Sequence, residues 1–255
     1  MTSNQFINSK LTIPKFQNSG KIDSNLCLFQ ADIVNEKWHL GQANCVEDEY
    51  FWVVQCNSHN KDSIYFLATN AQVEIVKTHN TLSDLNKFTD TSPDFRANLQ
   101  IINSAGATSS YQSEFPFRMT EKLGNLYSDC GMLTTNNAEK VGVFLRNIHK
   151  NPIQQETLLY LYDNKNDILL ETFKIYLNRT CYIDLTSFRK SLSTCFIYAN
   201  NYLGIPVYLV EYSSGGLSFE HTHPPHESIQ GENRYLLVNH LKDRAYEKIS
   251  SAHIQ

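Results

Sequence analysis

Short runs of aromatic and β-branched residues, separated by polar turns, recur along most of the chain. In the first half of the chain, these runs are residues 26–29, 50–56, 64–68, 73–76 and 99–102. Runs of this length and composition predict β-strands. The best helical candidate in this half is Leu82 to Phe88, with Thr81 as its cap. The fold is therefore predicted to be mostly β.

The second half has a more regular pattern, in which strand-like runs recur about every eight to twelve residues. These runs are 131–135, 141–147, 157–162, 169–177, 181–185, 194–199, 206–212 and 217–223. Within one of them, Phe173, Ile175 and Leu177 alternate with polar or amphipathic residues, which is the period of a half-buried strand. The pattern predicts a β-sandwich of about 8 strands. A last strand is predicted over Tyr235 to Asn239, followed by a short helix near 241–249.

Changes in composition divide the chain into four predicted parts. Residues 1–24 are rich in Asn, Ser, Lys and Gln and predict a flexible arm. A turn-forming stretch over 89–118 separates an N-terminal β domain with long loops, 25–118, from the β-sandwich domain, 119–232. Residues 233–255 are predicted to close the chain with a strand and a helix. The predicted fold class is thus all-β, with two β domains.

The charge of the chain narrows its partners. With 22 basic and 26 acidic residues, the net charge of −4 favours neither nucleic acid nor a membrane surface as a partner.

The first residues do not have the pattern of a signal peptide, and no apolar run approaches ~18 residues, so a cytoplasmic location is expected. The six cysteines are widely spaced with no Cys-x-x-Cys pair, which predicts buried, reduced thiols. Glycine-rich phosphate loops are missing, and no nucleotide cofactor is expected.

One run concentrates the candidate chemistry: Glu220-His221-Thr222-His223-Pro224-Pro225-His226-Glu227. In an extended strand, His221 and His223 share a face at a spacing of about 6 to 7 Å, close enough to ligate one metal. The two prolines end the ladder and turn His226 or Glu227 towards that face as a third ligand. The predicted metal residues are therefore His221, His223, His226 and Glu227, with zinc, iron or manganese as the divalent metal. Metal-free binding through the same groups and a purely structural, hydrogen-bonded turn remain alternatives.

Two resemblances bear on this prediction. The spacing Gly215, five residues, His221-Thr222-His223, three residues, Glu227 resembles the first metal motif of cupins, in which His221, His223 and Glu227 would ligate iron, manganese or zinc in a small β-barrel. For the second cupin motif only His240 is available. The strand succession from 141–147 to 205–210 is similar in layout to the small β-sandwiches of the sensory rhodopsin transducer kind, which implies a non-enzymatic binding module.

These observations leave two functional hypotheses, and whether the protein is an enzyme stays open. The first is a non-catalytic ligand-binding or interaction protein with the histidine run at its binding rim. The alternative is a cupin-like metalloenzyme that acts on a small or carbohydrate substrate. With 14 Tyr, 14 Phe and 2 Trp, the chain has aromatic faces on which sugar rings can stack, so small molecules and carbohydrates are the ligands considered. Exposed strand edges readily pair, which keeps a homo-oligomer among the options.

Overall fold

The computed structural model describes residues 8–15, 25–57, 59–85, 97–113, 117–133, 136–221 and 232–252. These residues form two compact units, the first made of 1–122 with 148–154 and the second of 123–147 with 155–255. The described strands belong to four small antiparallel sheets of three to five strands each.

The first unit contains eight described strands: β1 (Asn8–Pro14), β2 (Cys27–Val34), β3 (Lys37–Gln42), β4 (Val46–Glu47), β5 (Phe51–Cys56), β6 (Ile64–Ala68), β7 (Ala97–Ile102) and β8 (Thr108–Ser113). Five of them form a sheet in the order β4-β5-β1-β7-β8, and three form a sheet in the order β3-β2-β6. The prediction that residues 1–24 form a flexible arm is wrong for residues 8–15, which the structure describes. There, β1 is the middle strand of the five-stranded sheet and pairs with both β5 and β7.

Alternation along β2 builds two apolar clusters in the first unit. Leu28 points to one side and packs with Ile13, Trp52 and Val54 of the five-stranded sheet. Phe29 and Ala31 point to the other side and pack with α1 (Asn70–His79) through its buried residues Val73 and Val76. The three-stranded sheet is therefore buried on both faces, once by a sheet and once by a helix.

The helix α1 occupies a segment in which the sequence predicts a strand at 73–76, and that prediction is wrong. Thr69 caps the helix, because its hydroxyl accepts from Gln72 N at 3.3 Å while Thr69 N donates to Gln72 Oε1 at 2.8 Å. This reciprocal arrangement is a capping box, and it satisfies two amides that the first helical turn leaves without partners. The predicted helix from Leu82 is a short 3-10 helix, Leu82–Leu85, in the described residues.

Residues 148–154 return to the first unit from a distant part of the chain. The carbonyl of Lys150 accepts a hydrogen bond from the indole Nε1 of Trp38 at 2.8 Å and another from Leu82 N at 2.9 Å. Lys150 N in turn donates to the carbonyl of Thr120, the last residue of the short helix α2 (Phe117–Thr120). This segment therefore ties three parts of the first unit together.

The second unit contains the other eight described strands: β9 (Leu126–Asp129), β10 (Ala138–Arg146), β11 (Glu156–Asp163), β12 (Ile168–Tyr176), β13 (Thr180–Asp184), β14 (Cys195–Ala199), β15 (Ile205–Tyr212) and β16 (Leu217–His221). They form two sheets with the orders β13-β10-β15-β16 and β12-β11-β14-β9. Short 3-10 helices are described at Gly131–Leu133, Thr186–Phe188 and Leu192–Thr194. The first of these lies where the sequence predicts a strand at 131–135.

The predicted architecture of two β domains, the second a β-sandwich, is wrong. The chain is mostly β, but its strands are distributed over four small sheets instead. The cause of the error is that a period of two identifies strands without specifying their partners. Strands that are distant in sequence are hydrogen-bonded neighbours here, such as β10 with β15 and β9 with β14.

The helix α3 (Arg234–Ala252) closes the described part of the second unit. Its buried residues Val238, Ala245 and Ile249 follow helical spacing, and the last two pack against an aromatic face of the β12-β11-β14-β9 sheet. The strand predicted over Tyr235 to Asn239 is therefore wrong, because these residues form the first turns of α3. No helix in the described ranges combines the length and apolarity that a membrane span requires.

Candidate ligand-binding site

The structure places His221 on the face that alternation predicts for it. The edge strand β16 pairs with β15 so that Leu217, Phe219 and His221 oppose Glu211, Leu209 and Val207 in turn. Phe219 is buried on this face and His221 is partly buried at its end. The backbone N–H of His221 donates a hydrogen bond to Glu220 Oε1 at 3.1 Å.

The rest of the histidine run, including His223, His226 and Glu227, lies outside the described residues. In the described part of the chain, no three His, Cys, Asp or Glu side chains come together in a group that could hold a metal ion. Because three of the four predicted metal residues lie outside this part of the chain, the metal site stays a prediction. Val207 and Phe219, which lie beside His221 in the register, offer no ligand atoms to a metal.

The face that carries His221 is an aromatic surface. The ring of Phe144 lies 5.9 Å from that of Phe219, edge to face, and 4.7 Å from that of Tyr182. Tyr182 lies across Gly142, where an added Cβ would meet the phenol oxygen at 2.5 Å. Burial raises the pKa of Tyr182, and the carboxylates of Asp184 and Glu211 raise it further. A phenol in this environment stays protonated, so Tyr182 contributes to this surface by packing against the neighbouring rings.

A pocket of about 260 Å³ lies at one end of the other sheet of the second unit. Three chain segments meet there, because Asp163 at the end of β11 pairs with Cys195 at the start of β14, and Phe196 pairs with Asp129 at the end of β9. The residues that line it come from these segments: Tyr127, Asp129, Asn164, Lys165, Ser193, Thr194, Cys195 and Phe196. Antiparallel pairing thus assembles the pocket from residues up to 69 positions apart (Tyr127 to Phe196).

Asp163 fixes the turn that forms one wall of the pocket. Its Oδ1 accepts hydrogen bonds from Lys165 N, Asn166 N and the Thr194 hydroxyl, and its Oδ2 accepts one from Asn166 Nδ2. Burial alone would raise the pKa of Asp163, but the hydrogen bonds from Thr194 and Asn166 outweigh it and lower the pKa. The ionised carboxylate therefore holds Asn164 and Lys165 in position.

The floor of the pocket contains a thiol that is unsuited to nucleophilic chemistry. Cys195 is 1 % exposed, and its Sγ donates to Ser191 O at 3.1 Å. Burial raises the pKa of the Cys195 thiol to about 11, with smaller effects of the same sign from Asp163 and Asp129. Since the thiolate is the reactive species, this cysteine is inert near neutral pH.

A buried hydrogen-bond network lies beside this floor. Cys130 N donates to Cys195 O at 3.0 Å, and burial raises the pKa of the Cys130 thiol as well. The hydroxyl of Tyr208 lies 2.8 Å from Ser128 Oγ and 3.1 Å from Asp129 O, to which it donates. These contacts connect β15 with the end of β9 and give the pocket a rigid support.

Sequence reasoning did not single out the pocket residues. One signal was present, since Tyr160 and Tyr162 in one strand and Phe196 and Tyr198 in another repeat aromatic residues at the spacing of two. That spacing indicates a continuous aromatic face, which the structure confirms through the pairs Tyr160 with Tyr198 and Tyr162 with Phe196. The polar residues of the pocket lie in turns, where their composition alone indicates only solvent exposure.

Comparison of the chain with protein-family models, with curated proteins and with solved structures finds no match. The resemblances to cupins and to transducer-type modules therefore stay predictions.

Proposed function

We propose that this protein is a non-catalytic binding protein that takes a small polar ligand in the pocket at the ends of β9, β11 and β14. One observation carries the proposal: the pocket combines aromatic surface at Tyr127 and Phe196 with hydrogen-bonding groups at Asp129, Asn164 and Ser193. A few polar groups around an apolar surface are typical of ligand sites.

Three titratable groups in or beside the pocket, Tyr127, Cys195 and Asp163, support binding over catalysis. General acid–base catalysis is most efficient when the pKa of the catalytic group lies near the working pH. Burial instead raises the pKa of Tyr127 and that of Cys195, while hydrogen bonds lower that of Asp163. Each shift moves the group away from neutrality, so these three residues keep one protonation state while a ligand binds and leaves.

The proposal is tested by ligand-observed NMR with a library of small, uncharged polar fragments. We expect saturation transfer from the wild-type protein to a subset of them, and loss of that transfer in Ser193→Trp, which fills the pocket at an exposed position. Ser213→Trp is the matched control, at an exposed serine of the β15–β16 turn outside the pocket lining. Binding that is equal in both variants would refute the site, and chemical conversion of a bound fragment would refute the non-catalytic function.

We further propose a cytoplasmic location, since all six cysteines are free thiols. A reducing compartment keeps such thiols unpaired. Alkylation of the denatured protein from freshly lysed cells should label all six cysteines, and consistent labelling of four or fewer would contradict the proposal.

A further inference from the structure

The ring of Tyr127 is the partly exposed end of a row of three aromatic rings. Its centroid lies 5.2 Å from that of Phe196, which in turn lies 5.3 Å from that of Tyr162. Phe196 and Tyr162 are buried, whereas Tyr127 is only partly buried and lines the pocket. Because Tyr127 packs against the buried ring of Phe196, which Tyr162 supports from behind, Tyr127 offers a preformed flat surface whose ordering costs little on binding.

Two side chains with fixed orientation add hydrogen-bonding groups to this surface. Gly131 N donates to Oδ1 of Asp129, and this exposed carboxylate has further lone pairs that can accept hydrogen bonds. The amide oxygen of Asn164 accepts from Lys248 Nζ at 3.1 Å, which leaves the amide nitrogen as a donor. A carboxylate acceptor and an amide donor match adjacent hydroxyl groups, since each hydroxyl can donate one bond and accept others.

The charge and the size of the pocket restrict the ligand further. Asp129 and Lys165 contribute one charge of each sign to the lining, so the pocket favours a ligand without net charge. Its volume of about 260 Å³ is slightly below the range of roughly 300–1,000 Å³ for drug-sized ligands. A ligand with a single ring therefore fits best.

We infer that the ligand is a carbohydrate, held as one sugar ring with its C–H face on Tyr127 and its hydroxyl groups bonded to Asp129 and Asn164. This inference rests on the proposed function and names the class of its ligand. A sugar ring has the required combination of an apolar face, a rim of adjacent hydroxyls and no charge.

The experiment titrates the full chain with a panel of hexoses, pentoses and N-acetylhexosamines, measured by saturation-transfer NMR beside the uncharged fragments. We expect at least one sugar to bind. Tyr127→Ala should weaken that binding roughly 2- to 10-fold through loss of stacking, and Asp129→Ala should weaken it about 10-fold or more through loss of a charged hydrogen bond. Tyr127→Phe should retain the affinity, because the ring remains. The control Tyr50→Ala removes an exposed tyrosine of the first unit and should change nothing.

The outcomes separate this inference from the proposed function. If fragments bind in a manner sensitive to Ser193→Trp but no sugar does, the carbohydrate inference is overturned and the binding function stands. If neither class binds, both are overturned. An equal loss in Tyr127→Phe and Tyr127→Ala would also overturn the inference, since it would assign the affinity to the hydroxyl. Should Tyr127→Ala fail to fold, Asp129→Ala at an exposed side chain gives the decisive measurement.

Discussion

Replacement of Gly142 by alanine should destabilise the second unit through one identifiable contact. An added Cβ would lie 2.5 Å from the Tyr182 hydroxyl oxygen, 2.6 Å from Cε2 and 2.7 Å from Cζ, so the ring has to move. Overpacking of this kind costs about 1–3 kcal/mol. In a Tyr182→Ala background the same replacement should be favourable by about 0.5–1 kcal/mol, because alanine loses less backbone entropy than glycine in a strand. The two values imply a coupling free energy of about 1.5–4 kcal/mol.

Urea unfolding followed by far-UV circular dichroism measures all four corners of this cycle. Gly41→Ala is the matched control, because a Cβ added to that strand glycine meets nothing within 4 Å and should not destabilise the protein. Tyr182→Phe should give little rescue, since the two ring carbons remain in place. An equal cost of Gly142→Ala in the wild-type and Tyr182→Ala backgrounds would show that contact with the Tyr182 ring is not the source of that cost.

Three further predictions concern the first unit. Thr69→Ala should lower the free energy of unfolding by about 0.5–2 kcal/mol through loss of the cap on Gln72 N, with Thr69→Ser close to wild type in urea unfolding; equal loss in both would contradict the capping role. Burial lowers the pKa of His149 below its ordinary value, so the unfolded chain takes up this proton at a higher pH than the folded protein does, and stability falls as the pH drops from the ordinary pKa towards the lowered one. His149→Asn should therefore reduce the fall in melting temperature between pH 7 and 5. An unchanged fall would refute this role of His149. Glu36 has a left-handed φ of 58° in the β2–β3 turn, and Glu36→Gly should raise the melting temperature; a lowered value would argue against strain at this turn.

Alternation along a strand was sufficient to predict the side of the sheet on which His221 lies, because this property depends only on neighbours in sequence. The strand predictions for 73–76 and 235–239 were wrong because they also relied only on neighbours in sequence. A run of four or five residues with three or four apolar positions fits a strand or a helix equally well, and groups outside the run decided between them. For α1 this was the Thr69 cap, and for α3 it was the aromatic face that buries Ala245 and Ile249.

Structural features that depend on pairing between strands far apart in the chain could not be predicted from the sequence. The strand Asn8–Pro14 has few apolar residues of its own, and it is held by ladders to β5 and β7, whose paired residues lie about 37 to 94 positions further along the chain. The pocket has the same origin. Tyr127, Asn164 and Ser193 become neighbours only through the register of β9, β14 and β11, which no local composition specifies.

The return of residues 148–154 to the first unit sets an order on the synthesis of this protein. When residue 122 has left the ribosome, Trp38 and Leu82 are already made, but the carbonyl of Lys150 that accepts their hydrogen bonds is not. The first unit can finish folding only after β10, a strand of the second unit, has also been translated. A gene cut at codon 122 would therefore encode a first unit that lacks the segment 148–154 and the hydrogen bonds its Lys150 carbonyl accepts.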